Sequence, residues 1–494
     1  MSPLNTTQQP YESFAGSGIR RMRRMFTLLA LTGIPVWFSG CAMLSPTDPY
    51  RPVSFSPAIN VAGSSRASQA KAESLASRSI GLADAVEIAI ANNPELAATG
   101  HDAEAAWARK DAAFGAMLPA LSAEGAYTHH LDDQRLVPAR FNGEPGVFSD
   151  SIYSGDLVLK MPLFAGGRLI NETRAADLLR RSSEHRMVRA RDELIFNVTS
   201  IFYGILAQEK LIGSLQFSRE ALDSHLKRVN DLIAAQKAAK VDRLRTEVRL
   251  SDVSQKIVRE KNTLAIQHRL LANLMGIETT SGTLAVQGEL DRATTVSLTV
   301  GDGMNIAMKQ RPDYLAARKE LEAQARRVDV ARAGHTPAVS LFGAYGGRWA
   351  ANPSEQPLDT DDSEDVGRVG IGIEMPLFQG GRIQARVKEE RAKLAAAQER
   401  LLGLELQVRL EVETAFLNLA SSMERVQTLE KSVEQAEESL RIEQQKYDLG
   451  KGAIVDVLDA QAALLEAQTN YYRALADLNV ARAQIELATG ERTP

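Results

Sequence analysis

Two kinds of hydrophobic periodicity alternate along this chain, and each occurs twice. From Gly155 to Phe164 the apolar Leu157, Leu159, Met161 and Leu163 take every second position, with Asp156 and Lys160 on the other face. Val369, Ile371, Ile373, Met375 and Leu377 repeat the pattern opposite Gly370, Gly372 and Glu374. A period of two sends successive side chains to opposite faces of a strand. Weaker alternation, at Leu121, Ala123 and Tyr127 and again at Val339, Leu341 and Tyr345, supplies a partner strand for each. The expected strands are 120–133 with 151–164, and 338–350 with 366–378.

After each hairpin the period becomes helical. Between Arg382 and Tyr447 there is no proline, and Val387, Leu394, Leu401 and Val408 form a heptad ladder. It resumes after a phase shift with Val412, Leu419, Val426, Val433 and Leu440. Such spacing means coiled-coil packing, and the shift marks a change of supercoil. An equivalent helix is expected from Leu169 to Ala235. At about 1.5 Å per residue, about 65 residues reach roughly 100 Å. The two helices fold back at Lys237-Ala238-Ala239-Lys240 and at Asp448-Leu449-Gly450-Lys451-Gly452. The returning helices end at Gly276 and Gly490, both fitting C-cap positions. Shorter helices at 82–115 and 301–333, interrupted at Asn93-Pro94 and Arg311-Pro312, lead into the strands.

These elements are copies of one another. Met161-Pro162-Leu163-Phe164-Ala165-Gly166-Gly167-Arg168 recurs as Met375-Pro376-Leu377-Phe378-Gln379-Gly380-Gly381-Arg382. The same offset superposes Val198 on Val412, Phe202 on Phe416, Asp242 on Asp456 and Gly276 on Gly490. A slightly larger offset pairs Pro94 with Pro312, Pro119 with Pro337 and Tyr127 with Tyr345, so the first copy has the longer connection between Pro119 and Pro162. Internal repetition decides architecture before any local reading does. The expected organisation is a first structural repeat over 80–280, a linker over 281–300 and a second repeat over 301–490. Pro162 and Pro376 fall near strand ends, where a lost ladder donor costs least. Gly166, Gly167, Gly380 and Gly381 then free the backbone for a sharp strand-to-helix corner. A phosphate-cradling role for Gly-Gly-Arg fails, because the P-loop spacing and its Lys-Ser/Thr are absent.

Composition agrees with long helices rather than a globular α/β enzyme. Aromatic residues make up only 5% of the 494, and Ala, Leu, Glu, Gln and Arg dominate the long segments. The net charge of −4 is nearly balanced, with basic residues interspersed among acidic ones, so nucleic acid is not an expected partner. The seven histidines are dispersed, and no Ser-His-Asp set, zinc spacing or nucleotide motif occurs; neither an enzyme nor a cofactor is expected. Adjacent His129 and His130 point to opposite faces of their strand and do not form a metal site.

The single cysteine is informative. Arg20-Arg21-Met22-Arg23-Arg24 precedes the short apolar run Phe26 to Phe38, and Phe38-Ser39-Gly40-Cys41 follows. The run is too short for a permanent membrane helix, which needs about 20 residues. Residues 1–40 resemble a bacterial lipoprotein signal with a lipobox, which implies cleavage before Cys41 and acylation of its thiol. Ala42 stands where an inner-membrane retention signal would have Asp, favouring the outer membrane. Residues 41–79, rich in Ser, Pro and Ala, read as an extended lipid-anchored tether. With Cys41 committed to lipid, no thiol remains for a disulfide, a metal or a nucleophile.

Alternating strands of about ten residues mark a transmembrane barrel, although one sheet of a soluble sandwich alternates in the same way. The outer-membrane signal favours the barrel. Four strands leave two bare edges that lipid cannot hydrogen-bond, and the smallest closed barrels have about eight strands. Two chains would supply eight strands and three would supply twelve, so the pattern requires an oligomer. The far loops, 129–150 and 347–365, are polar and acidic, as expected of loops facing outside the cell.

From residue 80 to 490 the chain resembles the TolC-like outer-membrane factor family. The resemblance is carried by the duplicated corner and by Tyr447-Asp448-Leu449-Gly450-Lys451-Gly452-Ala453-Ile454-Val455-Asp456-Val457-Leu458-Asp459-Ala460-Gln461. It implies an α plus transmembrane β fold: a homotrimer whose four strands per chain complete a 12-stranded barrel above a helical periplasmic tunnel. It also implies docking to a periplasmic adaptor (a membrane fusion protein) and an inner-membrane pump of RND or ABC type, for drug or metal efflux or type I protein secretion. The implied location is the outer membrane of a Gram-negative bacterium.

Asp456 and Asp459 lie three apart on a helix and so share a face. In a trimer they would place six carboxylates around the narrow end of the pore, a periplasmic gate that holds cations and disfavours anions. The bland alternative is that Asp456 only caps or solvates the hairpin end. Tyr447 resembles the family's tip tyrosine that restrains the closed hairpin. Gly452 occupies the place of the family's partner arginine, with Lys451 beside it as a candidate counter-charge. In the first copy Asp242 matches Asp456 but Arg245 stands where Asp459 does, so that tip is read as fixed counter-charge and the second as the moving gate. Two other classes compete. A lipid-anchored coiled-coil structural protein without a pore needs no amphipathic strands. A hydrolase using Asp456 and Asp459 needs a concave apolar pocket that a helical tip does not offer.

Overall fold

The computed structural model describes residues 79–139, 141–236, 239–277, 285–292, 298–356 and 362–491. The signal 1–40, Cys41, all but the last residue of the tether, Lys237-Ala238 and part of the 281–300 linker lie outside these. In chain order the elements are α1 (Leu82–Asn92), α2 (Pro94–Gly115), β1 (Ala120–Arg135), β2 (Phe148–Phe164), α3 (Arg168–Ala234) and α4 (Lys240–Leu274). The second repeat gives α5 (Val300–Gln310), α6 (Pro312–Arg332), β3 (Ala338–Ala350), β4 (Pro353–Glu355), β5 (Ser363–Glu374), α7 (Arg382–Asp448) and α8 (Ile454–Thr489). The compact units cut across the repeats. All strands belong to one unit, made of Met117–Gly166 and Thr336–Pro376, and all helices belong to the other.

The sheet runs β1-β2-β3-β5, with the short β4 paired to the start of β2. Every pairing is antiparallel, and its register aligns the alternation read from the sequence. Leu157 lies between Ala123 and Tyr345, Leu159 between Leu121 and Gly343, and Leu341 between Met161 and Ile371. This face is exposed: Leu121 (71%), Val369 (80%) and Ile373 (73%) have no apolar cover within the chain. The opposite face is polar, with Lys160 bridging Glu124 at 3.5 Å and Arg348 bidentate to Asp156 at 3.0 Å. Strands β1 and β5 are bare edges. The first loop is more built than its polar composition implies. Arg135 donates to the carbonyls of Val137, Glu144 and Pro145, and Leu136, Val147 and Ala350 bury themselves beside Ile152.

One strand differs from expectation. The second strand of the second hairpin, expected over 366–378, ends at Glu374, so Pro376 lies beyond the ladder. Strand β2 is flanked by β1 and β3 and continues through Pro162, where a bulge absorbs the missing donor. Strand β5 has β3 alone, and Ala338, the first residue of β3, already pairs with Glu374. Among the described residues no strand pairs with Met375 to Phe378. Both corners do use the left-handed backbone that glycine permits: φ is 61° at Gly166 and Gly380, 80° at Gly167 and 78° at Gly381.

Helices α3 and α7 each span 67 residues, about 100 Å of rise. Their burial follows the heptads: Val387, Val408, Val412, Leu419 and Val426 are buried, and Leu394, Leu401, Val433 and Leu440 half-buried. The phase shift has a local cause. Val408 and Val412, one turn apart and both fully buried, pack with Ala307 of α5 and with Leu478, Ile485 and Ala488 of α8. The first repeat builds the equivalent core from Val198, Phe202 and Ile205 of α3 against Ala85, Ala89, Leu271 and Met275.

Each X-Pro interruption seats against the end of its own returning helix. Residues before proline are pushed out of the helical region, and Asn93 and Arg311 both take extended backbone, ψ 121° and 120°. The Asn93 amide donates to the Leu274 carbonyl at 2.9 Å while its Oδ1 accepts from the Leu96 amide at 2.9 Å. Arg311, 1% exposed, donates to the Ala488 carbonyl at 3.2 Å and pairs with Asp313 at 2.8 Å and with Glu411 of α7. Arg189 of α3 joins the second cluster, donating to the Leu487 carbonyl at 3.0 Å and lying 4.0 Å from Asp313. Gly276 and Gly490, at φ 64° and 72°, leave no room for a Cβ against Asn92 and Arg311.

Candidate gate at the helical tips

The second hairpin turns between Asp448 and Ile454. Gly450, at φ 70°, donates to the Tyr447 carbonyl at 2.9 Å, and Lys451 donates to that of Lys446 at 2.9 Å. Helix α8 begins with Asp456 in its first turn, where the carboxylate accepts the Ala453 amide at 3.3 Å. Asp242 does the same for α4, accepting the Ala239 amide at 3.3 Å. The two matching aspartates therefore share a capping role, satisfying one of the open N–H groups at a helix start. Asp459, one turn on, makes no such bond. Asp456 and Asp459 are exposed on one side of α8 and line a groove with Glu443, Lys446 and Lys451. Capping and pore-lining are compatible, because a carboxylate accepts several bonds.

Tyr447 sits differently from the aspartates. Its ring packs on a buried cluster in which Leu211, Leu215 and Leu222 of α3 and Val253 and Ile257 of α4 meet Ile454, Leu458 and Leu465 of α8. The nearest aromatic partner is His225 of α3, ring centroids 5.1 Å apart. Beside them Arg228 of α3 bridges Asp448 of α7 at 2.9 Å. Burial pushes the Tyr447 hydroxyl above its ordinary range; Asp242 and Asp448 add to this and Arg228 opposes it. Asp242 is thus electrostatically close to Tyr447, whereas Arg245 is exposed one turn away. Further up the same seam Gln461 of α8 donates to the Ser218 carbonyl of α3 at 3.0 Å, out of solvent.

Sequence reasoning brought together Tyr447, Asp242, Asp456, Asp459 and Lys451, and missed His225 and Arg228. Neither follows the repeat: Ser439 stands at the place of His225 in the second copy. It also missed an aromatic band on the exposed sheet face near the loops. Tyr127 and Tyr153 lie opposite one another with centroids 4.9 Å apart, Trp349 is opposite Tyr153, and Tyr345 is opposite Leu157. Aromatic girdles at the membrane interface are a barrel signature, and their clustering here is visible only in register. His129 is spent on Ser151, its Nδ1 2.9 Å from the Oγ.

No helix among the described residues is long and apolar enough to cross a membrane. The amphipathic, open-edged sheet and the paired coiled-coil hairpins define a channel of the bacterial outer membrane with a helical periplasmic part. The chain belongs to the outer membrane efflux protein family, whose sequence profile matches residues 85–277 and 304–491. It is 22% identical over 415 residues to the outer membrane protein TolC of Vibrio cholerae, covering 83% of this chain and 90% of that one. It is 24% identical to the proteases secretion protein PrtF of Dickeya chrysanthemi, over 78% of this chain and 82% of the relative. Its fold matches the crystal structure of the outer membrane protein VceC from Vibrio cholerae with a TM-score of 0.69 at 20% identity, over 83% of this chain and 96% of that one. The chain is an outer-membrane export channel, and its exposed apolar sheet face is the one suited to lipid.

Proposed function

We propose that this channel acts as a homotrimer, the passive exit duct of a tripartite efflux or type I secretion assembly. Its tips open on docking to a periplasmic adaptor and an inner-membrane pump, and the duct itself catalyses no reaction. The observation that carries this is the sheet: four long strands with a lipid-suited face and two bare edges need neighbours' strands to close. Three copies give the 12-stranded barrel that the family resemblance implies. The helical unit adds support, because α4 exposes Val248, Val258 and Ile266 and α7 exposes Leu406, Leu410 and Leu417. Such stripes mark surfaces that pack against another chain. Within the trimer Asp456 and Asp459 would ring the periplasmic aperture, Tyr447 would restrain the hairpin, and Asp242, Arg245 and Lys451 would set the surrounding charge. Cys41 would carry the lipid. Cargo choice belongs to the pump; among the relatives, the printed name of PrtF refers to protease secretion.

The test is the oligomeric state in detergent. The purified protein should run as a monodisperse trimer, and Cys41→Ser should lose lipid labelling but keep the trimer, since the barrel anchors the complex. A monomer with intact β signal by circular dichroism contradicts the proposal.

A further inference from the structure

We propose that His225 is a proton-sensitive wedge in the contact that holds the second hairpin tip, so that acid loosens the tip without any docked partner. The proposal rests on the reading of Tyr447 as the restraint of the closed hairpin.

His225 lies on α3 at the edge of the buried cluster, against the Tyr447 ring of α7. Its Nε2 and the Tyr447 hydroxyl are both out of solvent and without a hydrogen-bond partner. A neutral imidazole can leave an acceptor nitrogen unpaired at modest cost. Protonation puts a second N–H donor and a full charge in the same place, where an uncompensated charge is far more costly. The charged neighbours do not compensate it. From α3 comes Arg228, of like charge. From α7 comes Asp448, already paired with Arg228 at 2.9 Å. From α4 comes Asp242, which bears on Tyr447. From α8 the cluster receives apolar Ile454 and Leu458. Accordingly His225 is held below its ordinary value of 6.5, first by burial and then by Arg228, with Asp448 opposing.

A histidine whose docked value is depressed binds its proton more tightly once released. The docked contact is therefore complete above 6.5 and is lost as pH falls through 6.5 towards the lower docked value. Below both values, each unit of depression multiplies the released-to-docked ratio about tenfold per protomer. The second repeat has Ser439 at this place, so the wedge belongs to one seam alone.

The test is channel opening of the full-length protein in planar bilayers at pH 7.5 and pH 5.0. Wild type should open more often at the lower pH, by a factor set by how far the docked value is depressed. His225→Phe and His225→Gln, run in parallel so that one keeps ring shape and the other polarity, should abolish that rise. His225→Lys should open readily at pH 7.5. Tyr447→Ala separates the two readings. If it stays closed at pH 7.5, the restraint reading fails. If it opens while wild type and both neutral His225 variants share one pH profile, the wedge is overturned and the restraint stands.

Discussion

The two repeats solve one structural problem with different chemistry. In each, the residue before a proline reaches over to the last carbonyls of the returning helix: Asn93 to Leu274, Arg311 to Ala488. The first joint is a neutral, local latch. The second is a buried guanidinium that also gathers Asp313, Glu411 of α7 and, through Asp313, Arg189 of α3. The second hairpin's tip is held to α3 by the apolar cluster around Ile454 and Leu458, by a ring contact and by an exposed ion pair, and only the last is worth as little as about 0–1 kcal/mol. The root is thus tied by buried charge and the tip by apolar and ring contacts, the contrast on which the proposed gate rests.

The largest effect should come from the charged joint. Arg311→Ala leaves Glu411 without its cation and Asp313 with only Arg189 at 4.0 Å, and should destabilise the helical unit by about 3 kcal/mol, measured by denaturant unfolding. Asn93→Ala, its counterpart, removes one cap and one amide donor and should cost about 1 kcal/mol. Equal losses would mean that the two joints do not differ in kind. Acid should separate them too. Burial raises the Asp313 carboxyl, but Arg311 and Arg189 outweigh it and hold the group below its ordinary 3.8. Its contribution is therefore present above 3.8 and lost as pH falls through the depressed value, and Arg311→Asn should flatten that part of the stability–pH curve. The smallest effects belong to the caps: Asp456→Ala and Asp242→Ala should each cost about 0.5 kcal/mol, alike in both repeats.

Much of this arrangement was legible in the sequence, because periodicity reports which face of an element is buried. The heptads of α7 anticipated Val408, Val412, Leu419 and Val426, and the alternation of β2 anticipated the exposed Leu157 and Leu163. Periodicity does not report which element covers that face. Arg311 with Glu411, His225 with Tyr447 and Gln461 with Ser218 are contacts between distant segments, and the last two join one repeat to the other. No repeat offset points to them. The shortening of β5 was hidden for a related reason: Met375 and Leu377 keep the strand pattern, but no strand among the described residues pairs with them. The aromatic band likewise needs the register of three strands to become a band.

In the proposed gate the second tip, not the first, lines the aperture. Replacing Asp456 and Asp459 together with Ala would remove six carboxylates from a trimer, and the direct measurement is single-channel ion selectivity in lipid bilayers. This variant should lose cation preference and block by divalent and trivalent cations, while Asp242→Ala, beside Arg245, should change selectivity little. Wild-type selectivity and cation block in the double variant would show that both aspartates are solvated tip residues and would contradict the assignment.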